Sequence, residues 1–382
     1  MTTWPMVKLG EVAAPAVRSE PPQAGTTYRQ IGVKLWGEGA YERESMDGSQ
    51  TKYSKLFRAE ADDIIVNKIW ARNGSVAVVP KARAGCFGSG EFPMFALNPT
   101  RVNSRWIHWL TKTPGFWAQC DEKSQGTSGK NRIRPERFLD IEISLPPLAE
   151  QRRVVTRIEE LAAQIHEVRG IRADIDRDIR ALLMSAYQRI AEQAPRKPLG
   201  EVAPLNRRPV CVELDGRYPQ VSVRSFGRGT FHNPPLLGTE ITWQKPFLVN
   251  CGDILISNIK AWEGAIAVAT PIDNGRVASH RYLTCEPIRH VATSRFICFH
   301  LLTTEGLHAI GEASPGSADR NRTLSAKELV RIPVPVPPYP QQLWFDELCG
   351  QMDGLKRLQA ETSAELDALL PSILDRAFKG EL

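Results

Sequence analysis

Two stretches of the chain carry apolar residues at alternating spacings of four and three. The first holds Val154, Ile158, Leu161, Ile165, Val168, Ile175, Ile179 and Leu182, interrupted in the middle by Arg172. The second holds Leu348, Met352, Leu355, Thr362, Leu366, Leu369 and Ile373, with Gln359 filling a seam position. This spacing predicts long helices, each showing an apolar seam to another long helix. The first would run roughly 60 Å at about 1.5 Å per residue, too long for one face of a compact domain. Each opens on a proline pair, Pro146-Pro147 and Pro337-Pro338, which closes the preceding element and favours a helix start. Pro371 falls inside the second helix and is expected to kink it or limit its last turns. The polar seam residues Arg172 and Gln359 either set the register of an antiparallel pair or reach to water from the seam's edge.

Outside these stretches the periodicity is shorter. Residues 28–35 alternate like a strand, and residues 37–50 read as a polar, glycine-containing loop. Residues 63–70 read as a buried strand, Asn73-Gly74 as a hairpin turn and residues 75–80 as the return strand. A helix over 104–119, a Gly/Ser/Lys-rich loop over 124–132 and a strand over 138–145 complete the unit.

The same order then returns. Leu9-Gly10-Glu11-Val12-Ala13 recurs as Leu199-Gly200-Glu201-Val202-Ala203, an offset of 190. That offset also aligns Tyr28 with Tyr218, Asp63-Ile64 with Asp253-Ile254, Gly74 with Gly264, and Asn131-Arg132 with Asn321-Arg322. Such a register marks a tandem duplication of a whole domain and its helix. The expected fold is α+β: two repeated mixed α/β domains, each followed by a long helix, with the helices pairing as an antiparallel coiled coil. The expected boundaries are 1–145 for the first domain, 146–194 for its helix, 195–336 for the second domain and 337–382 for the C-terminal helix.

Composition agrees with a globular chain: of 382 residues, 42% are hydrophobic and 24% charged. No run of about 18 apolar residues exists to span a membrane, and the N-terminus lacks a basic-then-apolar leader pattern. The seven cysteines are scattered without a Cys-x-x-Cys, so a reduced, cytoplasmic setting without structural zinc is expected. The net charge of +6 is unevenly spread. Residues 1–148 carry 20 Lys and Arg against 15 Asp and Glu, and residues 196–338 carry 17 against 12. Residues 149–195 balance at 8 and 8, and residues 339–382 carry 4 against 8. The positive excess therefore sits on the two globular copies, which points to a polyanionic partner for them.

Fragments of catalytic motifs are present and incomplete. His232-Asn233-Pro234-Pro235-Leu236 has Leu where an amino-methyltransferase needs an aromatic, and no glycine loop accompanies it. Gly126-Thr127-Ser128-Gly129-Lys130-Asn131 has Asn where a phosphate loop needs Ser or Thr. Asp62-Asp63 with Lys68 lacks the Glu-x-Lys of a metal nuclease, and its repeat copy keeps only Asp253, so a strand cap is the better account. What remains is a matched pair of polar loop sets. Lys68, Trp70, Arg72 and Asn73 lie on the first hairpin, and Asn258, Lys260, Trp262 and Glu263 on the second. Arg and Lys suit guanine edges or phosphates and Asn suits adenine, so such a tip could enter a DNA groove. Lys130, Asn131 and Arg132 recur as Arg320, Asn321 and Arg322, and their retention in both copies suits phosphate clamping. Lys34, Arg224 and Arg281 complete the candidate DNA-binding set. Single solvated hairpins would look the same; the matched sets are what favour DNA.

Over nearly its full length the chain resembles the specificity (S) subunit of Type I restriction-modification systems. The resemblance rests on Asp-Ile leading to a glycine turn (Asp63 to Gly74, Asp253 to Gly264), the Gly/Ser loop before the last strand, and Pro146-Pro147-Leu148-Ala149-Glu150-Gln151 opening the long helix. The second copy departs, with Tyr339-Pro340-Gln341-Gln342 after its proline pair. The resemblance implies two DNA target-recognition domains held by the helix pair, each reading one half of a split target in double-stranded DNA. It implies no catalysis by this chain. Two methyltransferase subunits and ATP-driven restriction subunits would be its partners, and AdoMet, ATP and Mg would belong to them. A divergent methyltransferase or nuclease, or a coiled-coil scaffold binding protein, remain the alternatives at this point.

Overall fold

The computed structural model describes residues 4–125, 131–241, 245–316 and 322–382. They form two compact units, one made of Met1–Arg172 with Ala360–Leu382, the other of Ala173–Gln359.

In the first unit a five-stranded sheet runs in the order Ser19–Glu20, Leu56–Arg58, Phe87–Gly88, Thr27–Val33, Ala40–Asp47. A four-stranded sheet runs Ala13–Pro15, Met94–Leu97, Ile64–Val66, Val76–Val78. Ile64 and Val66 pack into a core with Phe95, Trp106 and Ile107, whereas Ile65 packs into a second core with Ile31, Val33 and Met94. A strand buried on both faces shows no polar alternation, which is why the sequence there reads as one apolar run. The strand itself is shorter than expected, and residues 67–75 form its connection to Val76–Val78, with a short 3-10 turn at Ala71–Asn73.

Three other expectations are corrected. Ala40–Asp47, read as loop, is an eight-residue strand paired with Thr27–Val33. It is the outer strand of its sheet, with half of its residues exposed and none fully buried, so its polar sequence carried no burial signal. The helix expected over 104–119 is two, Ser104–Leu110 and Pro114–Glu122. Thr113 caps the second by accepting from the Phe116 N–H, and Pro114 starts it. The final strand is only Glu142–Ser144, paired with Met6–Lys8, because Pro135 opens a short helix, Pro135–Leu139, before it.

The second unit repeats this plan. Its five-stranded sheet runs Arg208–Pro209, Phe247–Leu248, Val277–Ala278, Arg217–Val223, Thr230–Leu237, and its three-stranded sheet runs Ile266–Val268, Ile254–Ser257, Tyr282–Cys285. The same register shift stands between Tyr28 and Gln30 and between Tyr218 and Gln220. The same parallel pairing joins Gln30 to Phe87 and Gln220 to Val277.

Leu148–Ala191 is one 44-residue helix. Within the first unit it runs antiparallel to Ser363–Phe378: Arg153 donates to the Leu382 carbonyl at 2.8 Å, Arg169 to Asp367 at 2.9 Å and Arg172 to the Thr362 hydroxyl at 2.6 Å. Within the second unit its far part runs antiparallel to Tyr339–Glu361, with Arg180 and Lys356 lining one cavity and Arg189 over the Trp344 ring at 5.2 Å. Arg172 thus pairs across the helices and does not simply reach to water.

The seam is less continuous than its spacing predicts. Val154, Ile158, Ile165 and Ile179 are buried, but Val168, Ile175 and Leu182 are 40%, 37% and 48% exposed. Off-seam residues are covered instead: Val155 joins the Trp106 core, and Leu183, Ala186 and Tyr187 join the Phe296 core. Much of the apolar surface of the helix thus serves its globular neighbours. The C-terminal helix is also two segments, divided at Thr362, where ψ is 2°. Pro371 lies within the second segment without ending it. Both Pro371 and Asp367, whose carbonyl it leaves unserved, are exposed, so water can serve that group.

Candidate nucleic-acid interface

The hairpin connection of the first unit is not a free tip. Its backbone is gripped on three sides. The Lys68 N–H donates to the Glu91 carbonyl at 3.1 Å, and the Lys68 carbonyl accepts from Ile133 N–H at 2.9 Å. On the other side Trp36 N–H donates to the Asn73 carbonyl at 2.7 Å and Gly37 N–H to the Gly74 carbonyl at 3.1 Å. Gly74 has φ +77°, and a Cβ there would sit 2.7 Å from the Trp117 ring and 2.8 Å from the Gly37 nitrogen. Only glycine permits this approach. Segments far apart in sequence are thereby drawn into one polar surface.

Lys68, Trp70 and Arg132 come together there around Glu91, and Asn131 precedes Arg132 in the chain. The Glu91 carboxylate lies 3.9 Å from Lys68 Nζ and 3.6 Å from an Arg132 nitrogen. Arg132 is also held by reciprocal backbone hydrogen bonds with Gln125. Trp70 is 45% exposed and lines a cavity of about 210 Å³ with Gln30, Arg43, Tyr53, Asn67, Glu91 and other residues. Arg72 and Asn73 sit apart, on the 3-10 turn beneath the 34–39 loop. Lys34 belongs to that loop and pairs with Glu38 at 3.4 Å. Lys130 lies outside the described residues.

The second unit builds the same framework with other side chains. Asn258 N–H donates to the Arg281 carbonyl at 2.8 Å, and the Asn258 carbonyl accepts from Leu324 N–H at 2.7 Å. Phe226 and Gly227 N–H groups donate to the Glu263 and Gly264 carbonyls. Two cations lie over the Trp262 ring, Lys260 at 5.3 Å and Arg322 at 5.7 Å from its centre. Lys260 also pairs with Glu263 at 2.6 Å, and that hydrogen bond holds the Glu263 carboxyl below its ordinary pKa. Arg224 is tied to its own loop, donating to the Thr230 carbonyl and lying over Phe231 at 4.9 Å. Arg320 and Asn321 lie outside the described residues.

Sequence reasoning named Arg281 but missed Glu91, although the 190-residue offset pairs the two positions. It also missed the partners of the strand-capping aspartates. Asp63 accepts from Arg18 at 2.6 and 3.2 Å and from Glu60 N–H at 2.9 Å. Asp253 accepts from Arg208 at 2.8 and 3.2 Å and from Asn250 N–H at 2.7 Å. These buried carboxylates are engaged in holding the fold. Among the described residues no group of three or more His, Cys, Asp or Glu is placed to hold a metal ion, and no helix is long and apolar enough to cross a membrane. His232 and Asn233 of the methyltransferase-like fragment lie on the strand Thr230–Leu237, bonded to Asp273 and Ser222 at 2.8 Å each.

Comparison with known proteins gives a family match and two fold matches. Residues 1–177 match the Type I restriction modification DNA specificity domain family. The HsdS subunit from Thermoanaerobacter tengcongensis is similar over 100% of this chain and 98% of its own, at 23% identity and a TM-score of 0.58. A chain from a structure described as the basis of complex assembly and conformational transition of the type I R-M system is similar over 100% and 99%, at 22% identity and a TM-score of 0.70. A search of the curated proteins finds no match. The family match thus falls on the first copy, residues 1–177, and the chain shares its two-domain fold with these solved structures from end to end.

Proposed function

We propose that each unit's loop surface reads one half of a split, asymmetric DNA target. The observation that carries this is the twice-built framework: Ile133 on Lys68 and Leu324 on Asn258 are the same backbone contact, while the side chains displayed around it differ. Equal scaffolds with unequal polar surfaces suit two different base sequences. The helices would set the spacing of the half-targets and dock two methyltransferase subunits, to which restriction subunits add. Methylation and cleavage, with their AdoMet, ATP and Mg, would then lie in those partners, and this chain would contribute recognition alone.

The test is an exchange. Residues 14–145 are replaced by those of another family member, and the hybrid is expressed with its methyltransferase partner. Mapping of methylated sites should show one half of the target altered and the other retained. A change in both halves, or in neither, would refute the modular reading.

A further inference from the structure

Glu91 and Arg281 occupy one position of the framework. Each offers its carbonyl to the N–H of the first hairpin-loop residue, Lys68 in one unit and Asn258 in the other, at 3.1 and 2.8 Å. Their side chains have opposite hydrogen-bonding character. A carboxylate only accepts, and a guanidinium only donates.

Among the described residues neither side chain has its hydrogen-bonding capacity filled. The Glu91 Oε2 atom is buried and has no hydrogen-bond partner among the described residues. Lys68 and Arg132 stand at 3.9 and 3.6 Å, close enough to balance its charge but beyond hydrogen-bond length. The Arg281 side chain is exposed, and among the described residues no ion pair or hydrogen bond of its guanidinium is present. Close by, Asn258 Oδ1 and Trp262 Nε1 are buried without hydrogen-bond partners among the described residues. Polar groups in this condition cost stability unless water or a ligand completes them.

We infer that this position decides one base in each half-target with opposite polarity: Glu91 accepts from the exocyclic amino group of adenine or cytosine, and Arg281 donates to the O6 and N7 atoms of guanine. In the major groove those amino groups are the donors available on base edges, and the guanine pair of acceptors matches the fork of an arginine. Thymine and guanine offer only acceptors at the contact edge, so a carboxylate there repels them. This rests on the half-target reading above.

The experiment uses the full chain assembled with its methyltransferase partner and a pool of duplexes with randomised positions. The wild-type complex should select a split motif with adenine or cytosine at one position of one half and guanine at one position of the other. Glu91→Gln, whose amide can both donate and accept, should relax the first position about tenfold and leave the other half intact. Arg281→Gln should relax the guanine by a similar factor and spare the first half. The untouched half shows in each case that the protein is folded. Because Arg281 is exposed, its variant keeps the test decisive even if Glu91→Gln disturbs its loop. A wild-type motif that both variants reproduce unchanged would overturn the inference and leave the half-target reading standing. A wild-type complex that selects no motif would remove both.

Discussion

Gln151 and Gln342 make the same hydrogen bonds in two different units. Each is fully buried. Gln151 Nε2 donates to the carbonyls of Pro146 at 2.7 Å and Arg101 at 3.1 Å, while its Oε1 accepts from Asn103 N–H at 2.8 Å. Gln342 donates to Pro337 at 2.8 Å and Val291 at 3.0 Å, and accepts from Thr293 N–H at 3.0 Å. One amide thus closes the start of a long helix onto the loop preceding the first helix of its domain. Replacing Gln342 by Leu would strand one donor and two acceptors in the interior. The expected loss is about 3 kcal/mol, given roughly 1–3 kcal/mol per unsatisfied group. Denaturant titration would measure it, and a loss below about 1 kcal/mol would mean that water replaces the amide.

Burial pushes the His300 pKa down to about 4, and the ring is 2.6 Å from the Tyr187 hydroxyl. An unfolded histidine takes a proton near pH 6.5. Between those values the unfolded state holds the extra proton, so stability present above pH 6.5 declines as pH falls toward 4. The slope is about 1.4 kcal/mol per pH unit for each such group. His108, pushed down to about 3 by burial, adds the same tendency in the first unit. Denaturation midpoints at pH 7 and pH 5 should differ more in the wild type than in His300→Gln; equal differences would show that the ring stays accessible to protons.

Lys68→Ala with Arg132→Ala should weaken binding to all duplexes alike and flatten its salt dependence. Each lost phosphate contact lowers the slope of log affinity against log salt by about 0.9. Binding titrations between low and moderate salt measure this. An unchanged slope with lost base preference would move these cations into direct readout.

Trp106 and Phe296 are equivalent in the repeat and are covered in equivalent ways. Phe378 packs edge-on against Trp106 at 4.8 Å, and Tyr187 lies against Phe296 at 5.5 Å. A fragment of residues 1–194 keeps Ile179, Leu183 and Tyr187 but lacks Leu374, Ala377 and Phe378. Two copies should then pair, each covering the other's Trp106 with its helix end, as a two-fold dimer. Sedimentation at micromolar concentration would show the dimer, and Leu183→Ser with Tyr187→Ser should abolish it. A monomeric wild-type fragment would show that the two covers are not interchangeable.

The duplication was legible because framework positions, such as Asp63-Ile64 and Asp253-Ile254, keep their register at a fixed offset. The helix starts were legible because proline pairs announce them. Ala40–Asp47 was not, since an exposed outer strand needs no apolar period. The helix seam misled for a related reason: spacing of four and three marks an apolar face without saying what covers it. Val155 and Leu183 lie beside the seam yet are buried by the globular cores. Glu91 was hidden because its role comes from a carbonyl contact to Lys68 across the fold. The candidate loops were found separately, and nothing in their local sequence shows that Ile133 would join two of them.

The two units differ in how the chain supplies them. The second is one uninterrupted run, Ala173–Gln359, whereas the first needs Ala360–Leu382 to return to it. During synthesis the first domain emerges early, yet its Trp106 core lacks Leu374, Ala377 and Phe378 until the second unit has been made. From Arg172 to Leu374 that interval spans about 200 residues, or roughly 10–40 s at about 5–20 residues per second. Through it the nascent first domain carries an uncovered aromatic face, so the later unit is the earlier one to finish, and the first is covered only when Ser363–Phe378 arrives.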